Sequence, residues 1–147
     1  MWNTISTVKD IDDFMCSYGN FHDSCIKELR YISGAFVGDD LSMNPFNNTR
    51  TVDIIFQRQY TNPMTIVMRF IDVITMHLSP LDCDFTCEIH DASMFIVEEN
   101  IYWADSQEAK NMLHGYKGTW ICAKKVEWRA IDDCVEDNNN MFAAKYE

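Results

Sequence analysis

Two runs of alternating apolar residues around a short turn constrain the fold more than any other part of this sequence. Apolar side chains occupy every second position in residues 52–56 and again in residues 64–70. In an extended strand, side chains two positions apart point to the same face of the sheet. Residues 60–63 between the runs contain Asn-Pro, a typical turn dipeptide. The segment therefore predicts an antiparallel hairpin with one buried face.

One helix is expected before the strands, over residues 8–18. Thr7 can cap this helix, and Asp10 stands three residues later, where the second acceptor of a capping box belongs. Gly19-Asn20 tolerates the positive φ angles with which helices end. The spacing of three, four and three residues places the apolar side chains on one stripe, which must pack on a sheet. The stripe consists of Val8, Ile11, Met15 and Tyr18.

The remaining pattern is mainly that of strands separated by turns. Further strands are expected over residues 26–32, 71–78, 85–97, 101–104 and 119–131, with a polar loop over 38–50 and a short helix over 106–116. The fold class is therefore α+β: a mostly antiparallel β meander of about six to eight strands, forming a curved sheet or partial barrel, with the N-terminal helix packed on it.

Two of these strands come with specific expectations about which side chains are buried. In residues 85–97, Phe85, Cys87 and Ile89 are expected to face inward, and the pattern then changes phase, which predicts a bulge near Asp91-Ala92. In residues 119–131, alternation predicts one shared apolar face. That face consists of Trp120, Cys122, Val126, Trp128 and Ala130.

The length of 147 residues fits one domain, expected over residues 1–131. The last residues, 132–147, are acidic and rich in Asn, and we expect them to form a frayed tail. The first residues lack the basic head and apolar run of a secretion signal, and the chain has no apolar stretch long enough to span a membrane. These features predict a cytoplasmic protein without membrane contact.

The net charge of −11 is unevenly distributed along the chain. Residues 70–109, the acidic block, contain nine Asp or Glu and no Lys or Arg, whereas residues 110–129 contain five Lys or Arg and one Glu. Because an anionic protein repels phosphate backbones, the charge disfavours a nucleic-acid partner. It favours a basic protein as the partner, although an acidic surface also serves solubility alone.

Six cysteines occur without a Cys-x-x-Cys pair, which is typical of reduced thiols in a cytosolic protein. Cys122 fits a buried apolar position. The Cys83-x3-Cys87-x2-His90 spacing superficially resembles zinc ligation, but a strand would hold the two sulfurs roughly 13 Å apart. No metal site and no cofactor are therefore expected. The phosphate-loop, dinucleotide and hydrolase-elbow motifs do not occur.

Residues 21–25 place a histidine, an acid and a thiol close together just before a strand. His22 could act as a base oriented by Asp23, or as a metal ligand beside it, and Cys25 could be a nucleophile. The alternative is that His22 and Asp23 tie the helix-to-strand corner through backbone hydrogen bonds. Separately, Glu88 and His90 alternate with Thr86 onto one face, where they form either a polar binding platform or a solvent-facing strand.

Residues 102–105 form a candidate binding anchor beside acidic residues. Tyr102 and Trp103 are neighbours on a strand and point to opposite faces, so at least one large ring is expected near the surface. An exposed aromatic ring next to a carboxylate such as Asp105 is a common anchor for a protein partner. Packing of both rings, one in the core and one under a loop, is the alternative.

Three blocks of this sequence resemble a small family of uncharacterised bacterial proteins: residues 19–28, residues 101–105 and residues 125–129. The chain also resembles the small acidic proteins that protect bacteria from their own toxins. The resemblance implies a compact bacterial domain of immunity-like function, and it implies no catalytic residue.

The sequence therefore predicts a non-catalytic protein-binding module. In this hypothesis the acidic block presents its carboxylates, with Tyr102 or Trp103 as the anchor, to a basic protein. Two alternatives stay open: a small hydrolase or metal-dependent enzyme that uses His22 and Asp23, and a carrier of a small ligand in a curved sheet.

Overall fold

The computed structural model of the chain describes residues 1–131. The prediction of a frayed tail over residues 132–147 lies outside the described residues. Within residues 1–131, no helix has the length and apolar character needed to cross a membrane.

The N-terminal helix α1 spans Val8–Ser17 and begins with the expected capping box. The Asp10 amide donates to Thr7 Oγ1 at 3.1 Å, and the Asp10 carboxylate accepts from the Thr7 amide at 2.9 Å. Gly19 and Asn20 follow with φ angles of 64° and 52°, so the predicted helix end is also confirmed. The apolar stripe of α1 differs from the prediction at Val8, which is 63% exposed. The residues of this face that reach the core are Ile11, Phe14, Met15 and Tyr18.

Seven strands form one open antiparallel sheet, and two more form a separate hairpin. The sheet order is β2-β5-β6-β9-β8-β7, with β1 also paired to β9. Two three-stranded meanders thus meet along the β6/β9 seam, and the α+β prediction is confirmed. The elements are β1 (Asn3–Ile5), α1, β2 (Ser24–Ile32), β3 (Phe36–Val37), β4 (Met43–Asn44), β5 (Thr51–Arg58), β6 (Thr65–His77), β7 (Ser93–Val97), β8 (Asn100–Ala104), α2 (Ala109–Met112) with a 3-10 turn (Leu113–Gly115), and β9 (Trp120–Ile131).

The predicted hairpin is present as β5 and β6, which pair from Val52 opposite Phe70 to Gln57 opposite Thr65. The expected separate strand over residues 71–78 is instead the continuation of β6. The pairing with β9 is irregular between Val73 and Thr75.

The expectation that the apolar residues singled out on β9 share one face is wrong, because they point to one face of the sheet in the first part of the strand and to the other face in the second part. Val126 pairs with Phe70, and Ala123 pairs with Val73, and all four side chains face the main core. In a regular strand, residues three positions apart point to opposite faces of the sheet. Ala123 and Val126 face the same side, as do Phe70 and Val73, so the alternation of side chains is interrupted in both strands between these pairs. On β6 the shift coincides with a positive φ at Asp72. Trp120 and Cys122 consequently pack in a second cluster on the other face of the sheet.

The expected strand over residues 85–97 begins only at Ser93. Phe85 is 69% exposed and Cys87 is exposed, so their predicted burial is wrong. The predicted bulge is replaced by two isolated bridges, Ser24 with Ile89 and Asp91 with Ser106. These bridges hold residues 89–91 between the start of β2 and the segment that follows β8.

The main core lies between α1 and one face of the sheet and is rich in aromatic rings. Phe21 sits at its centre, with ring centroids 4.8 to 5.8 Å from those of Phe14, Tyr18, Phe56 and Trp103. Edge-to-face contacts of this kind add to the free energy gained by apolar burial. The second cluster, around Tyr102 and Trp120, is covered by the segment from α2 to Tyr116.

Candidate functional site

The structure distributes the sequence-predicted site residues over three places. Tyr102 and Trp103 lie inside the two packed clusters. Glu88 and Asp105 line one cavity. His22, Asp23 and His90 meet at the corner between α1 and β2. The predicted residues therefore do not form a single site.

The expectation that one of the neighbouring rings is exposed is wrong. Trp103 is 0% exposed, and its indole N–H has no hydrogen-bond partner in the described part of the chain. Tyr102 is buried on the other face, where its hydroxyl lies 2.9 Å from His114 Nε2. Burial raises the pKa of Tyr102 to about 12. Both faces of β8 are covered, so neither ring can contact a partner directly.

Asp105 is held in a fixed orientation at the end of β8. Its carboxylate accepts hydrogen bonds from the Tyr116 hydroxyl and, at 3.2 Å, from the Thr119 amide. Its own amide donates to the Thr119 carbonyl at 3.0 Å. Burial, and then the bond to Asp105, raises the pKa of Tyr116, so this phenol stays protonated and remains a donor. The Asp105 side chain is thus set before any ligand arrives.

Asp105 and Glu88 border a cavity of about 350 Å³. Residues 78–81 and residues 87–89 also line it. Thr119 contributes a hydroxyl, which accepts a hydrogen bond from the Ser79 amide at 3.0 Å. Cavities that bind small molecules start at roughly this size.

The corner that carries His22 and Asp23 is built from left-handed backbone. Phe21 and Asp23 have φ angles of 62° and 55°, a region that is rare for a large side chain such as that of Phe and more common for Asp. His22 Nδ1 donates to the His90 carbonyl at 2.9 Å, and His22 Nε2 lies 3.5 Å from Asp23 Oδ2. The Asp23 carbonyl accepts from the Gln59 amide at 3.0 Å. These bonds join the corner to the backbone at His90 and Gln59.

Cys25 does not have the properties of a nucleophile at this corner. It is half-buried, and burial raises the pKa of its thiol. Since the thiolate is the reactive form, a raised pKa lowers reactivity. The groove beside His22 is bordered by Arg58, whose Nε donates to the Pro63 carbonyl at 2.8 Å and whose guanidinium lies 4.3 Å from the Tyr18 ring centroid. Arg58 is thereby engaged in packing.

Metal-ligating side chains converge at one exposed turn in the described residues. Oxygen and sulfur atoms of Asp82, Cys83 and Asp84 lie within 4.8 Å of one another. Asp82 Oδ1 already accepts the Asp84 amide at 3.0 Å, so the turn accounts for part of this arrangement. Neither Cys87 nor His90 belongs to this group.

The expected polar loop over residues 38–50 contains β4 and overlaps a group of exposed large apolar side chains in residues 31–46, which we call the apolar arm. Its strands β3 and β4 pair only with each other, outside the main sheet. Leu41 is 84% exposed and Phe36 is 58% exposed. The large apolar side chains that the arm exposes are Tyr31, Ile32, Phe36, Val37, Leu41, Met43 and Phe46.

The apolar character of residues 38–46 was missed because Gly, Asp, Asn and Pro interrupt its apolar residues as in a loop, whereas Tyr31 and Ile32 lie in the strand expected over residues 26–32. The density of large apolar residues in 31–46 was the available signal. Ser79 and Thr119, which border the cavity, carried no sequence signal, since only the fold brings these segments together.

No protein-family model, no curated protein and no solved structure matches this chain.

Proposed function

We propose that this protein is a non-catalytic protein-binding module that docks through the apolar arm. The observation that carries the proposal is the exposure of seven large apolar side chains within residues 31–46, four of them on the β3/β4 hairpin and its turn. Contiguous apolar patches on soluble proteins mark interaction sites. The immunity-like role implied by the sequence resemblance is one form of this function.

Hydrogen bonds at its tip and at its base hold the arm in one conformation. At its tip, the Gly38 amide donates to the Ser42 carbonyl at 2.9 Å, and the Ser42 hydroxyl donates to Asp40 Oδ1 at 2.6 Å. Hydrogen bonds from the hydroxyl and then the amide of Ser42 hold the pKa of Asp40 below its ordinary value. At its base, the Ser33 carbonyl accepts the amides of Thr49 and Arg50. Pre-organisation of this kind lowers the entropy cost of association.

An uncovered two-stranded hairpin is marginally stable in water, so the arm gains stability when a partner covers it. The partner surface is expected to be apolar with a basic rim. Asp39 and Asp40 are the only charged residues in 31–49, and the whole chain carries −11.

The acidic block supports the same choice of partner. Its carboxylates are largely left to solvent, and Lys110, Lys117, Lys124 and Lys125 form no ion pair with it in the described structure. Asp72 is paired, at 3.6 Å from Arg50. An unneutralised acidic surface accelerates association with a basic partner at low salt.

Capture of proteins from a lysate tests the proposal when the wild-type chain is compared with a Phe36→Ser, Leu41→Ser variant. The matched control is Val8→Ser, which removes an exposed apolar side chain from α1. A basic protein should be retained by the wild type and the control and lost by the arm variant. Its association rate should fall as salt is raised.

An identical set of captured proteins for the arm variant and the wild type would contradict docking through the arm. A stable dimer at all concentrations, abolished by the arm variant, would also contradict the proposal, since a second copy would then cover the arm.

A further inference from the structure

The cavity beside Asp105 has a chemical character that the protein-binding role does not use. Its charged lining residues are Glu88 and Asp105, and neither Lys, Arg nor His lines it within the described residues. Asp105 Oδ1 and Oδ2 each accept one protein hydrogen bond, and a carboxylate can accept about four. Acceptor capacity therefore remains available to a ligand.

Most of the other residues that line the cavity are aliphatic, beside Ser79, Cys87 and Thr119. The aliphatic lining residues are Ile26, Leu78, Pro80, Leu81 and Ile89. Leu78 and Leu81 are about half exposed, which is unfavourable for large apolar side chains unless something covers them. A ligand that fits must combine a cationic group with an apolar body.

A metal ion fits this cavity less well than an organic cation. The sole group of three metal-ligating atoms within 4.8 Å in residues 1–131 is Asp82, Cys83 and Asp84, which excludes both cavity carboxylates. A metal ion would also leave the aliphatic walls in contact with water. An ammonium group donates to carboxylate oxygens in charge-assisted hydrogen bonds, while its carbon chain covers the walls.

We propose that this cavity binds a small organic cation, with its ammonium group against Asp105 and Glu88 and its apolar body against the aliphatic walls. The two carboxylates differ in their role. Asp105 is positioned by Tyr116 and Thr119, so it fixes the place of the ammonium group. Glu88 is exposed and makes no hydrogen bond or ion pair within the described structure, so it is free to close on the ligand.

Calorimetric titration with three probes of the same shape tests this proposal: 3-methylbutylammonium, 3-methylbutanol and 3-methylbutanoate, at constant ionic strength. The ammonium should bind about tenfold or more tightly than the alcohol, because it adds charge-assisted hydrogen bonds. The carboxylate should not bind. Equal binding of ammonium and alcohol, or no binding of the ammonium, would overturn the proposal.

Glu88→Gln should weaken ammonium binding by about tenfold, because it removes the charge of one contact. Asp39→Asn, in the apolar arm, makes the same change in net charge away from the cavity and should leave binding unchanged. Asp105→Asn should weaken binding further, and if that variant fails to fold, Glu88→Gln still decides. An affinity unchanged by Glu88→Gln, or lowered equally by Asp39→Asn, would overturn the site. These outcomes are independent of protein capture by the arm.

Discussion

Asp53 and Arg69 form the best-defined ion pair in residues 1–131. They stand opposite each other on β5 and β6, and two parallel hydrogen bonds of 2.9 Å join the guanidinium to the carboxylate. Asp53 is 5% exposed, and Arg69 also lies 4.5 Å from the Trp2 ring centroid. Both the carboxylate and the aromatic ring hold the guanidinium in place. We therefore expect this ion pair to contribute more to the free energy of unfolding than ion pairs at the surface do.

Asp53→Ala should lower the free energy of unfolding by about 2 kcal/mol, because the partly exposed guanidinium loses its bidentate partner while Glu127 stays 3.9 Å away. Asp13→Ala breaks the exposed pair with Lys9 on α1 and should change the stability very little. Chemical denaturation measures both. Equal losses for the two variants would show that burial does not set the strength of these pairs.

The contribution of the α1 cap to stability depends on pH through the ionisation of Asp10. Hydrogen bonds from the amides of Ser6 and then Thr7 hold the pKa of Asp10 below its ordinary value. The folded state therefore favours the charged form, so this contribution is present at neutral pH and is lost as pH falls through the lowered pKa. Asp10→Asn should be less stable than the wild type at neutral pH, and the difference should shrink in acid. A difference that stays constant as the pH is lowered would contradict this assignment.

At the scale of elements, the turn between β7 and β8 carries strain. Val97 and Asn100 pair across it, and the two residues between them, Glu98 and Glu99, have φ angles of 51° and 69°. Such turns favour Asn-Gly, because L-residues with longer side chains are strained there. The Glu-Glu dipeptide therefore keeps two carboxylates at the tip at the expense of stability.

Replacing Glu98-Glu99 with Asn-Gly should raise the free energy of unfolding by about 1 kcal/mol. The control, Glu98→Gln with Glu99→Gln, removes the same charges and keeps the strain, so it should give no such gain. Thermal unfolding of the three proteins separates strain from charge, and a gain as large in the control would assign the effect to repulsion.

The apolar arm depends on Gly34 at its base. Gly34 has a φ of 96°, and a Cβ added there would lie 2.2 Å from Asn48 Oδ1 and 2.8 Å from the Thr49 nitrogen. Gly34→Ala should therefore disorder the arm and leave the core intact. Gly115→Ala is the matched control, because a Cβ there meets nothing within 4 Å. Hydrogen exchange should show faster exchange in residues 33–50 for Gly34→Ala alone, and unchanged exchange there would contradict the role of this glycine.

At the scale of the whole molecule, β6 and β9 form the seam between the two meanders. They pair from Thr65 opposite Ile131 to His77 opposite Trp120, with strands on both sides. Central strands open only with the global fold. Their amides should exchange more slowly than those of β7 and β2 at the edges, as hydrogen exchange can measure. Slowest exchange in β2 would show that the meanders do not share one cooperative unit.

The parts of the fold that local sequence determines were predictable. The capping box of Thr7 and Asp10, and the β5/β6 hairpin, involve residues close in sequence. The placement of β9 between β6 and β8 was not predictable, because it joins segments that are distant in the chain. Alternation alone placed Trp103 and Tyr102 on opposite faces, but it could not show that the segment from α2 to Tyr116 covers the second face.

The candidate sites were less predictable than the fold, for the same reason. Asp105 was singled out just after β8, and Glu88 on an expected strand, yet the cavity that both residues line is completed by residues 78–81 and Thr119. His22 and His90 were singled out separately, and the bond between them depends on the bridge between Ser24 and Ile89.

The apolar arm and the net charge are expected to have opposite effects on self-association in concentrated solution. The arm alone would make copies of the chain adhere, while the net charge of −11 makes them repel each other. At about 0.1 M salt this repulsion extends roughly 10 Å, and it shortens as salt increases. Added salt, or acid that neutralises the carboxylates, should therefore bring on precipitation through the arm, and a bound partner should prevent it.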